Sequence, residues 1–340
     1  MKKQITTLFL FFFIISSLTA QKKLDSIQFF IDEKPIAVNI ASDFKKLFST
    51  KKETPWQETT LTFHMPDSSV ITEGVQMRAR GNFRKTQCYM PSLMFNFHNP
   101  TSPLMYELDK LKIVSGCGTA TRDEQLVLKE YLAYKIYNLL TPMSFRVRLI
   151  RASFEDSKGK IKRYTTWGFF IEDVDDMAKR NKHKEYEMAT EQKWTNQERM
   201  TLVALFQYLI GNTDWSVPNF HNIKLVTPRG DSTAMPLAVP YDFDFAGMVD
   251  AEYASPSELL GTEKVTERVY RGFPRPIEEI NTTLNLFKQK KAEIYNLVSN
   301  FELLPSNSRK EIIRYFDEFY RLADNQRDIQ RTFIDDARKN

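Results

Sequence analysis

The chain has 340 residues, 48 basic and 43 acidic side chains and a formal net charge of +5. Its 42% hydrophobic and 13% aromatic content supplies a sizeable core, and its length suits one large domain or two lobes. The basic residues are dispersed among acidic ones, which argues against a nucleic-acid partner.

Met1-Lys2-Lys3, the apolar run Leu8 to Ile15 and the small-residue stretch Ser16 to Ala20 follow the order of a secretory signal peptide. The run is shorter than the roughly 20 apolar residues of a membrane span. Cleavage after Ala20 is therefore expected, with Gln21 as the new N-terminus. Lys2 and Lys3 leave with the signal, so the mature chain keeps about +3 of the +5. No cysteine lies near the cut, which argues against a lipoprotein. The expectation is an exported protein, periplasmic or extracellular, with no stable membrane span and no nucleic-acid partner. Cys88 and Cys117 are the only cysteines. In an oxidising compartment they either pair or remain as two buried thiols, and their spacing fits no metal motif.

The first half alternates in the manner of half-buried strands at Leu61–Met65, Val75–Arg80 and Leu93–Phe97, with a short strand at Leu111–Val114. Asp123 to Leu140 has a helical period and acidic residues at its front, and Pro142 stops it. Strand character returns at Arg146–Phe154 and Thr166–Ile171. Beyond about residue 195 the chain turns helical. Asn196 is placed to cap a helix running to Ile210. The polar loop Gly211–Asn222 follows, then strand-like Ile223–Val226, a turn at Pro228–Asp231, and Leu237–Gly247 with Asp242-Phe243-Asp244. Two amphipathic helices joined at Pro305–Ser308 end the chain. The expected division is a signal at 1–20, a strand-rich lobe at 21–172 with one main helix, and a helical lobe at 173–340.

The loop Gly211–Asn222 holds Asp214, Asn219, His221 and Asn222, too many polar groups for a plain turn. Phosphoryl transfer needs a carboxylate near the acceptor hydroxyl, oxygen ligands for a hard cation, and a positive side chain on the phosphates. Asp214 and Asn219 stand five apart, the spacing of the Asp and Asn in the kinase catalytic loop. Asn222 is an alternative ligand, and Asp242 with Asp244 supplies a second carboxylate source.

These motifs resemble the spore-coat CotH-type family of atypical secreted kinases. Arg78-Ala79-Arg80-Gly81-Asn82 is similar to its Arg-Gly-Asn motif, and Asp123–Leu140 to its small-lobe helix. Tyr164–Glu172 looks like the strand leading to the hinge, while His221-Asn222 and Pro240-Tyr241-Asp242-Phe243-Asp244 look like its two acidic-loop elements. The resemblance implies a two-lobed, α+β, protein-kinase-like fold. It implies Asp214 as the acceptor-side catalytic residue, and Asn222 or Asn219 with Asp242 and Asp244 as ligands of Mg or Mn. Glu130 would pair with the phosphate-binding cation, and Glu172 would lie at the nucleotide edge. Where that family offers a lysine this chain has Met94. Lys85, Lys112, Arg78 and Arg80 are the available replacements, and no glycine-rich phosphate loop is present. The activity implied is transfer of phosphate from ATP to a hydroxyl of an envelope protein or glycan. Two alternatives are a catalytically degenerate binding module and a glycan hydrolase built on Asp214 and Asp242.

Overall fold

A computed structural model describes residues 28–337 apart from Asn82, Glu107 and Ser232. The segment expected to be the signal peptide, and Asn82 of the Arg-Gly-Asn stretch, lie outside the described residues. The first half is built on seven strands: β1 (Ile36–Ser42), β2 (Gln57–His64), β3 (Val70–Arg80), β4 (Ser92–Asn96), β5 (Lys110–Ser115), β6 (Val147–Asp156) and β7 (Tyr164–Ile171). Alternate residues such as Val38, Ile40, Leu61, Phe63, Met77 and Phe95 point inward and are buried.

The strands close into a barrel in the order β1-β2-β3-β4-β5-β7-β6. Every neighbouring pair is antiparallel except the closing one, where β1 runs parallel to β6 with Ile36 opposite Ile150. Closure leaves no unpaired edge to attract another strand. Helix α1 (Gln28–Ile31) presses Phe29 onto Phe63 and Phe170, and α2 (Phe44–Thr50) is capped by Asp43. The five-residue helix α3 (Phe83–Gln87) is the next element after β3.

Helix α4 (Thr121–Leu140) lies against β7 and β6 and joins the barrel to the helical half. Most of its length is buried, from Leu126 to Leu140, because barrel wall and helices cover opposite faces. After α5 (Val174–Arg180) come β8 (His183–Glu185), α6 (Gln197–Ile210), β9 (Ile223–Pro228) and β10 (Leu237–Pro240), with the sheet order β10-β9-β8. The helices α7 (Ile277–Ser299), α8 (Ser306–Ala323) and α9 (Gln326–Gln330) complete the described chain. Asn196 caps α6 as expected, its side chain accepting from the Arg199 N–H at 2.9 Å.

The two-lobed kinase-like fold expected from the sequence is not what forms. Its strand-rich part is a closed, mixed seven-stranded barrel accompanied by α1, α2 and α3 as well as α4. The overlooked strand is β1, whose parallel partner β6 lies far along the chain. Nothing local in Ile36–Ser42 announces that pairing. Among the described residues no helix is long and apolar enough to cross a membrane. Cys88 and Cys117 are joined in a disulfide.

Candidate functional site

Gly211 ends α6 in the left-handed conformation (φ 67°), and a Cβ there would strike the Tyr315 hydroxyl. Asn212, buried just beyond it, accepts the Asp214 N–H at 3.0 Å. Ser216 and His221 exchange both backbone hydrogen bonds, pinching residues 216–221 into a tight loop. Trp215 is buried in the core beneath the Arg271 guanidinium, so it stiffens the loop and offers no face to a sugar. Asp214 receives His221 Nε2 on one carboxylate oxygen at 2.7 Å and Asn222 Nδ2 on the other at 3.0 Å. It also lines a polar cavity of about 230 Å³ with Thr213, Phe245, Ser255, Ser257 and Lys264.

The hairpin β9–β10 brings the second acidic element alongside. Ile223 is opposite Pro240, and the Tyr241 N–H donates to the Asn222 carbonyl at 3.0 Å, so Asn222 and Asp242 leave the same hairpin end. Asn222 and Asp242 both hold left-handed backbone (φ 53° and 61°), uncommon for residues with a Cβ. The Asp242 N–H is held by the Tyr134 hydroxyl on α4 at 2.8 Å. Gly247 and Met248 donate back to the Gly211 and Ile210 carbonyls, which ties the Asp242–Asp244 loop to the end of α6.

Between this loop and the barrel sits Arg84 of α3. Its Nη1 donates to the Ser115 carbonyl at 2.7 Å, and its Nη2 reaches Asp244 at 3.2 Å, Glu130 at 3.5 Å and the Tyr253 hydroxyl at 3.3 Å. All three charged groups are buried: the side chains of Arg84, Glu130 and Asp244 are 8%, 1% and 9% exposed. Desolvation disfavours the Arg84 charge, but Tyr253, Asp244, Glu130 and Asp242 outweigh it. Burial, then the Asp244 charge, push Glu130 well above the usual carboxylate range. Burial and Asp244 likewise push Asp242 up to about 7 against the pull of Arg84 and Arg80. One carboxylate oxygen of Glu130 is buried without a hydrogen-bond partner among the described residues.

The residues singled out by sequence are distributed unevenly around this cluster. Glu130 and Asp244 bond Arg84, Asp242 lies close enough for its charge to act on it, and Asn222 joins Asp214. Asn219 is exposed in the same loop. Arg80 is close enough for its charge to act on both Asp242 and Glu130. Lys85 is half-buried on α3. Lys112 is bound to Asp173 at 2.9 Å. Glu172 takes two bonds from Arg180 and one from the Arg146 N–H, which binds the end of β7 to α5. Met94 sits under Arg78, its sulfur 3.7 Å from Nη2. The residue that sequence reasoning missed is Arg84. Its signal is an arginine next to the Arg-Gly-Asn stretch, four residues ahead of a cysteine, whereas the family pattern points to the strand carrying Met94.

Among the described residues no group of three or more His, Cys, Asp or Glu side chains is arranged to hold a metal ion. The oxygen donors present are the Asp242 and Asp244 carboxylates and the Asn222 amide. Carboxylate and amide oxygens are the donor types that Mg²⁺ and Mn²⁺ take. No protein-family model matches the chain, and no curated protein matches it. The likeness to the CotH-type family therefore rests on the motifs alone.

Proposed function

We propose that this protein is an exported phosphotransferase that moves a phosphoryl group from a nucleoside triphosphate to a hydroxyl of an envelope protein or glycan, with Mg²⁺ or Mn²⁺. The observation that carries the reading is the Arg84–Glu130 pair beside Asp242 and Asp244. Phosphoryl transfer is catalysed chiefly by positioning and by cations around the phosphates. Arg84 is a permanent, planar cation with donors to spare for a phosphate, and Glu130 and Ser115 hold it in place. The place left empty by Met94 thus has a substitute, which weakens the case for a non-catalytic module.

A divalent cation, when bound, neutralises phosphate charge, and Asp242, Asp244 and the Asn222 amide oxygen are the donors on this chain. Asp214 faces the cavity of about 230 Å³ with both its carboxylate oxygens fixed by His221 and Asn222. In that position it orients the acceptor hydroxyl and receives its proton. The disulfide suits an oxidising compartment, in keeping with export.

The test is thermal stability of the mature chain with ATP and either ion, because a ligand of the native state raises the melting temperature. A rise that requires both nucleotide and metal is expected. No rise at millimolar nucleotide with either ion contradicts the reading.

A further inference from the structure

We infer that the Cys88–Cys117 disulfide is the positioning element of Arg84, so that the phosphate side of the site assembles only in the oxidised chain. The inference rests on the phosphotransferase reading. Helix α3 has five residues, too few to persist alone in water. On its N-terminal side Gly81, just past β3, adopts the left-handed conformation (φ 79°). On its C-terminal side Cys88 follows at once, and the Cys88 N–H closes the last turn on the Arg84 carbonyl at 3.1 Å. The bridge then fastens that turn to Cys117, where the Tyr89 N–H also donates to the Cys117 carbonyl at 2.9 Å.

Cys117 lies two residues beyond Ser115, the residue whose carbonyl receives Arg84 Nη1 at 2.7 Å. Backbone and guanidinium of Arg84 are therefore anchored to one stretch, the end of β5. The same stretch leads into α4: Asp123 accepts the Gly118 and Ala120 N–H groups at 3.0 and 3.1 Å. One covalent bond thus ties the helix carrying Arg84 to the entry of the helix carrying Glu130. Cys88 itself is buried, and Cys117 is partly accessible to a reductant.

Reduction by a dithiol breaks the Sγ–Sγ bond, adds two electrons and two protons to give two thiols, and closes the reagent's own disulfide. What then holds α3 is the Arg84 hydrogen bonds, the packing of Phe83 on Phe245 and Tyr253, and two bonds at its C-terminal end, Tyr89 N–H to the Cys117 carbonyl and Lys51 Nζ to the Cys88 carbonyl, neither of which fixes the Arg84 side chain. In a reducing cytoplasm the site stays unassembled, and export switches it on.

The experiment measures the Kd for Mg²⁺–ATP and the ligand-free melting temperature on the full mature chain. The forms compared are oxidised, dithiothreitol-reduced and Cys88→Ala/Cys117→Ala, each held below its own melting temperature. The Kd is expected to rise about tenfold or more on reduction, to return on reoxidation, and to be equally weak in the double variant. In an Arg84→Met background, affinity should be low and indifferent to redox state. A lower melting temperature with unchanged Kd would make the bridge structural only and overturn the inference. An oxidised wild-type chain that binds no nucleotide overturns the phosphotransferase reading, and this inference with it.

Discussion

The two carboxylate elements flank the β9–β10 hairpin, Asp214 in the loop before it and Asp242–Asp244 just after it, yet they are neutralised in opposite ways. Asp214 is about one-third exposed and leans on neutral or exposed donors, an amide and an imidazole. Asp244 is buried and shares Arg84 with Glu130, while Asp242 beside it is raised to about 7 by burial and by Asp244. A carboxylate that meets an incoming hydroxyl must remain reachable, and one that gathers cations and phosphates profits from a dry setting where charge interactions are strong. Under the proposed phosphotransferase activity, the open element would serve the acceptor and the buried one the nucleotide.

Substitution of the two acids separates these roles most sharply. Asp214→Ala is expected to lower turnover by about 10²–10⁴-fold, the usual range for a lost proton-transfer group, with Mg²⁺–ATP binding retained. Asp242→Ala should lose the binding itself. Titration calorimetry alongside a phosphate-transfer assay checks both, and loss of binding in Asp214→Ala alone would reverse the assignment.

Stability is the next contrast. Arg84→Ala leaves Glu130 and Asp244 buried without their cation and is expected to cost about 3–5 kcal/mol in denaturant unfolding. Asp214→Ala should cost no more than about 1 kcal/mol, because the exposed His221 regains water and Asn222 Nδ2 keeps its bond to the residue 214 carbonyl. Equal effects would mean that the buried and open elements are not distinct.

Within the open loop, Asn222→Ala removes a buried amide bonded twice to Asp214 and should cost about 1–2 kcal/mol. Asn219→Ala, exposed in the same loop, should stay within about 0.5 kcal/mol. If Asn219→Ala instead weakens metal-dependent binding, it and not Asn222 is the ligand.

The buried element also differs from the open one in pH dependence. The Asp242 carboxyl is raised in the folded protein from 3.8 to about 7, so folding favours its protonated form. That contribution is complete below pH 4 and is lost as pH rises through 7. Without metal, Asp242→Asn should therefore melt higher than the wild type at pH 8, with the gap closing toward pH 4. A gap that widens on acidification would show that Asp242 is ionised and paired in the native state.

Much of the helical half was legible because period and caps act locally. Asn196 capped α6 where expected, and the strands after the polar loop formed as β9 and β10. Asp242 and Asp244 were legible from residue type and order, whereas Glu130 came only from the resemblance, and it is the fold that brings Glu130 and Asp244 to Arg84. Closure of the barrel was not, because β1 pairs in parallel with a strand on the far side of α4. Arg84 was hidden for a related reason. Its partners Ser115, Glu130 and Asp244 come from three separate segments, and α3 is too short to carry a periodic signal. Pairing of Cys88 with Cys117 was left open by spacing alone, and it is the fold that brings them together.

The most direct test of the central claim is calorimetric titration of Mg²⁺–ATP into oxidised wild-type protein and into Arg84→Met and Arg84→Lys. Measurable binding by the wild type is expected, with partial retention by Arg84→Lys and affinity at least about tenfold lower in Arg84→Met, all three folded at the temperature used. Equal affinity in wild type and Arg84→Met would contradict the claim.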